Sequence, residues 1–147
     1  MVNWNLGSFR QKFPKLSPTN SRWQSPVDPD YNCIAWAVGA TDIWWEPDPF
    51  YQQFWPLAAN REYSVRAYLQ AFGAQGYLPC ADGSLEIDTQ KVALYARGTL
   101  PTHAARQLPD GWWASKLGPN VDIEHSVDAL DDGEYGNIVH FLHKRLR

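Results

Sequence analysis

Apolar and polar positions along the 147-residue chain change their period near residue 76. Before that point the pattern suits helices and irregular chain, and beyond it short alternating runs suit strands. The clearest helical run is "SVRAYLQAFGAQG" (64–76), where Val65, Tyr68, Leu69 and Phe72 recur at i, i+3, i+4 and i+7. Ser64 is a good N-cap, and Gly73 and Gly76 mark the end. "DYNCIAWAVG" (30–39) predicts a shorter helix, capped by Asp30 or Asn32 and closed by Gly39. Prolines break "DIWWEPDPFYQQFWPLAAN" (42–60) so often that at most one or two helical turns fit. Residues 1–30 show no sustained period and read as an irregular arm held down by Trp4, Phe13 and Trp23.

The second half predicts strands at "YLPCA", "KVALYA", "THAARQL" and "WWASKLG", with a last one at "NIVHFLHKRL" (137–146). "LPDGW" (108–112) has Pro, Asp and Gly where a hairpin turn wants them. The acidic stretch 122–136 reads as loop with a helical turn. The expectation is a single α+β domain over 1–147, with N-terminal helices packed on a C-terminal antiparallel sheet.

Composition narrows the partners. Hydrophobic residues make up 44% and charged residues 20%, a globular balance. A net charge of -3 gives no reason to expect nucleic acid. No apolar run approaches the roughly 20 residues of a membrane span, and "MVNWNLGSFRQKFPKL" carries no signal-peptide core. Two cysteines make no disulfide framework. A cytoplasmic protein is expected, with secretion by a non-classical route left open and the oligomeric state unspecified. Eight tryptophans call for a use, in the core or in a cleft.

Cys33 sits at an expected helix start, where unpaired N–H groups favour a thiolate and offer oxyanion donors. A buried packing cysteine is the plainer role for the same residue. Of four histidines, His103 opens a strand, whereas His140 and His143 lie among basic residues and His125 lies in the acidic stretch. If Leu108 pairs with Trp112, partner numbers sum to 220, and Ser115 becomes a diagonal neighbour of His103 on one face. A one-residue slip would put Lys116 there instead.

The order of cysteine on a helix, histidine on a strand and polar residue on the next strand resembles papain-like hydrolases of the NlpC/P60 type. More closely, "YNCIAWAVG", "HAARQLPDGWWASKLG" and "DIEHSVDALDDGEYG" resemble blocks of a small, uncharacterised bacterial family, over roughly residues 30–136. The resemblance implies a papain-like fold and a cysteine hydrolase acting on an amide or peptide bond of a peptide or protein. Cys33 would be the nucleophile and His103 the base, with Ser115 or His125 orienting the ring. Asn32 would help hold the oxyanion, and Trp36, Trp112 and Trp113 would line the substrate cleft. Transamidation or deamidation, as in a toxin-like effector, would use the same parts. A catalytically inactive module binding protein or glycan through its aromatic surface is the alternative. No cofactor is expected. A zinc set of Cys33, Cys80, His103 and His125 lacks the usual close ligand spacing.

Overall fold

The computed structural model describes residues 7–25, 32–39, 44–117 and 122–146. Seven antiparallel strands form one sheet: β1 (Ser21–Ser25), β2 (Leu78–Cys80), β3 (Thr89–Arg97), β4 (Leu100–Gln107), β5 (Trp113–Lys116), β6 (Asp122–His125) and β7 (Asn137–Arg145). Their order across the sheet is β1-β6-β5-β4-β3-β7-β2. The helices α1 (Gly7–Arg10), α2 (Cys33–Ala37) and α3 (Val65–Ala74) are only 4, 5 and 10 residues long.

This overturns the α+β, papain-like expectation. The fold is predominantly β, and helices do not precede the sheet as a layer of their own. The arm expected to be irregular supplies β1, an edge strand paired with β6, and "DIEH" is itself a strand rather than loop. Residues 44–63 contain no helical turn; they fold back through a bridge between Trp45 and Phe54. The longer helix begins as its sequence requires, with the Ser64 hydroxyl accepting from the Ala67 N–H at 3.0 Å. Trp4 and Asp30 lie outside the described residues.

Side chains alternate between the two faces of each strand, so the sheet carries two cores. On one face Val92, Leu94, Ala104, Ala114 and Leu142 pack beneath α2 and α3, together with Trp45 and Trp55. On the other, Ala93, Tyr95, Ala105, Trp113 and Ile123 pack beneath Phe13, Leu16, Ala129 and Leu130. β3 lies mid-sheet and is buried on both sides from Val92 to Ala96, which explains its unbroken apolar run.

Candidate functional site

The hairpin after β4 fixes the register of the site. Gly111 takes φ +91°, the Leu108 N–H donates to the Trp112 carbonyl at 2.7 Å, and Arg106 stands opposite Ala114. These pairs sum to 220, so His103 and Ser115 meet diagonally. On the next pairing Ser115 stands opposite Ile123 and Trp113 opposite His125, which brings His125 to the same face.

The three side chains form a chain of hydrogen bonds. His103 Nε2 lies 2.8 Å from Ser115 Oγ, and Ser115 Oγ lies 2.7 Å from His125 Nε2. Its direction follows from the far end. His125 Nδ1 is 2.7 Å from the Ser126 carbonyl, which can only accept, so that nitrogen carries the proton. In the neutral ring Nε2 is then an acceptor and takes the Ser115 hydroxyl proton. Ser115 in turn accepts from His103 Nε2–H. His103 Nδ1 remains as a bare lone pair, buried and without a hydrogen-bond partner.

Burial keeps both rings neutral. All three residues are 0% exposed. Desolvation, with the neighbouring His125 adding to it, pushes His103 well below the ordinary histidine value. Desolvation also brings His125 down to about 4, against a small opposing pull from the Ser126 carbonyl. Tyr135 lies flat on the His103 ring, 4.2 Å away and tilted by 6°, and Tyr95 closes its flank at 5.3 Å. The Thr102 hydroxyl holds the Tyr135 carbonyl at 2.5 Å.

The segment 126–136 that carries Tyr135 is tied to the arm. The Ser126 N–H donates to the Asn20 carbonyl at 2.9 Å, and the Glu134 N–H donates to the Lys12 carbonyl at 2.7 Å. The relay therefore sits beneath a cover rather than at the mouth of a groove.

Cys33 lies on the other face. It packs against the cluster that contains Ala104 and Ala114, with Tyr68 of α3 and the Lys116 charge nearby. Ala104 and His103 are consecutive in β4, so their side chains leave the sheet on opposite sides. Cys33 is only half-buried as a residue, yet desolvation pushes its thiol up to about 11. Nearby backbone N–H groups and Lys116 moderate that rise without reversing it. Lys116 forms a buried ion pair with Asp122 at 3.8 Å.

The other expected site residues are tied up in structure. The Asn32 carbonyl oxygen accepts from the N–H groups of Ala35 and Trp45, both at 3.1 Å, and its amide donates to the Trp45 carbonyl at 2.6 Å. It caps α2 and clamps Trp45. Trp113 is a core residue, 1% exposed, with its ring 5.9 Å from that of Phe141. Trp112 is stacked beneath Arg22 at 4.1 Å. The Trp36 side chain lies outside what is described. Among the described residues no group of three or more His, Cys, Asp or Glu is placed to hold a metal ion. No described helix is long and apolar enough to cross a membrane.

Residues 22–143 match the model of a family described as Domain of unknown function (DUF7689). The chain belongs to that family. No curated protein and no solved structure matches it. The match runs from within β1 to within β7, so both the relay and the cysteine lie within the DUF7689 domain.

Sequence reasoning marked the segment 42–60 as aromatic but did not single out Phe50, Tyr51 or Leu57, where much of the exposed apolar surface gathers. Phe50 is 79% exposed, Tyr51 76% and Leu57 104%. The loop is nonetheless tightly built. Asp48 accepts from the N–H groups of Phe50, Gln52 and Gln53 at 2.8, 2.9 and 2.7 Å. Arg61 donates to the Asp48 carbonyl at 2.9 Å and stacks on Tyr51 at 4.4 Å. Trp55 packs its ring on Tyr68 of α3 at 5.0 Å. The density of Trp, Phe and Tyr between 44 and 63 was the available signal.

Proposed function

We propose that this DUF7689 chain is a protein-docking module whose contact surface is the loop 48–57. The observation that carries the reading is the exposure of Phe50, Tyr51 and Leu57 on a loop fixed by hydrogen bonds around Asp48. Large side chains presented from a fixed backbone lose less conformational freedom on binding than the same side chains on a mobile loop. Tyr51 adopts φ +58°, a conformation disfavoured for a bulky residue and kept only where its surroundings enforce it. Asp48 is buried and paired with Arg61, which leaves Glu46 and Glu62 as the acidic residues flanking the loop. An acidic rim around apolar anchors fits a partner with an apolar groove bordered by basic residues.

The same geometry counts against a Cys33–His103 dyad. A general base must reach the proton it removes, and here the sheet stands between sulfur and imidazole. The raised thiol and the lowered histidine both oppose a thiolate–imidazolium pair.

The docking surface is tested with a photo-crosslinking amino acid at Leu57 and, as a control, at Leu78, which is 65% exposed on the far edge strand. In the native cell the Leu57 probe gives one discrete adduct. Its purified partner then binds the wild-type chain and not Phe50→Ser/Tyr51→Ser. Equal labelling from both positions, no adduct at Leu57, or undiminished binding by the double variant would contradict the proposal.

A further inference from the structure

Segment 126–136 links β6 to β7, which are not neighbours, because β5, β4 and β3 lie between them. The segment therefore crosses the sheet on the face that carries the relay, and it contributes no strand or helix on the way. Backbone bonds tie it to the arm, from the Ser126 N–H to Asn20 and from the Glu134 N–H to Lys12. Thr102 holds the Tyr135 carbonyl. The ion pairs Lys12–Glu134 at 4.0 Å and Lys15–Asp132 at 3.1 Å are exposed and add little. Ala129 and Leu130 are its apolar footing. Lifting the segment leaves every pairing of the seven strands in place.

The relay beneath has no place for another proton. His125 Nε2 accepts from Ser115, and Ser115 accepts from His103, so the bare lone pair of the relay is that of His103 Nδ1. A proton added there makes a charged donor without an acceptor in a dry core. A proton added at His125 Nε2 instead takes away the acceptor of the Ser115 hydroxyl. Either way one buried donor goes unmet beside an unsolvated cation, a cost that ends when water reaches the rings.

The surroundings supply no counter-charge. β3 presents Tyr95, the crossing segment presents Tyr135, and β7 presents the apolar Ile138 and Phe141. The one charge acting on His103 is that of His125, and it opposes protonation. Asp128 and Asp131 bear on Tyr95, while Lys12 and Lys15 are turned to Glu134 and Asp132. Burial raises the Asp131 carboxyl, so acid acting through that group favours the covered form. Lys15 holds Asp132 below the usual carboxylate range, which keeps it ionised in mild acid.

We propose that segment 126–136 is an acid-released lid, lifted from the sheet by proton uptake at the His103–Ser115–His125 relay while the strands stay paired. A ring in water takes its proton near 6.5 and a covered one only lower, so the lifted form gains as pH falls below 6.5. The lid lies on the face opposite the docking loop's Trp45 and Trp55, and the inference holds or fails without that loop.

Native-state hydrogen exchange on the full chain, corrected for the pH dependence of the intrinsic rate, tests this. From pH 7.5 to pH 5.5 the Ser126 and Glu134 amides lose protection by about tenfold for each ring that water reaches. The Tyr77 and Leu108 amides, bonded to the Phe72 and Trp112 carbonyls, keep theirs. His140→Gln/His143→Gln removes the other two histidines and retains the response, as does Asp131→Asn. The proposal is overturned by a change under about threefold at Ser126 and Glu134. Equal loss at all four amides, or a response abolished in either variant, overturns it as well.

Discussion

Ser115 is one hydroxyl between two imidazoles, and it satisfies a donor on one side and an acceptor on the other. Replacing it with alanine leaves His103 Nε2–H and His125 Nε2 unpaired in a dry core. Each orphan costs on the order of 1–3 kcal/mol, so Ser115→Ala should lose about 2–4 kcal/mol in urea unfolding at pH 7.5. An unchanged midpoint would show that the relay contributes nothing.

The histidines also set a pH dependence, and its sign is fixed. Both are bases whose folded values lie below the ordinary 6.5. Between about 4 and 6.5 the unfolded chain therefore holds more protons than the folded one. Stability is complete above pH 6.5 and falls as the solution is acidified. For His125 the fall from 6.5 to about 4 amounts to roughly 3 kcal/mol, and His103 adds in the same direction. Denaturant midpoints measured at pH 7.5 and pH 5 check this, and equal midpoints would contradict it.

At the scale of elements, the β4–β5 hairpin was legible because its turn chemistry is local: Pro109, Asp110 and Gly111 dictate both the reversal and the register. α3 was legible for the same reason, through Ser64 and a clean helical period. β1 and β6 were not. "SRWQS" has little alternation and becomes a strand only by pairing with β6. "DIEH" does alternate, with Ile123 and His125 on one side, but its acidic neighbours masked that signal.

Glycine substitutions separate local from tertiary demands on these elements. Gly73 lies in α3 with open space where a Cβ would go, so Gly73→Ala should stabilise by about 0.5–1 kcal/mol. Gly136 has φ +75°, and a Cβ there would strike the Ala96 carbonyl. Gly136→Ala should cost about 2 kcal/mol or more, because strain and collision add. Thermal melts of the two variants should move in opposite directions.

For the whole molecule, the sheet is a partition. The sequence contained every member of the relay, and alternation within β4 showed that His103 and Ala104 face opposite ways. Which face α2 would choose was not local information; it depends on Ile34, Ala35 and Ala37 finding the core of Val92, Leu94 and Leu142. That choice places the cysteine with Lys116 and Tyr68 and the histidines beneath Tyr135. A protein built this way keeps its buried polar groups as internal structure.

The separation of Cys33 from His103 is tested most directly by the rate of iodoacetamide alkylation of Cys33 against pH, in a Cys80→Ser background. The account predicts slow reaction at neutral pH, an inflection near the raised thiol value of about 11, and the same profile in His103→Ala. Rapid alkylation with an inflection below about 8, abolished by His103→Ala, would contradict it.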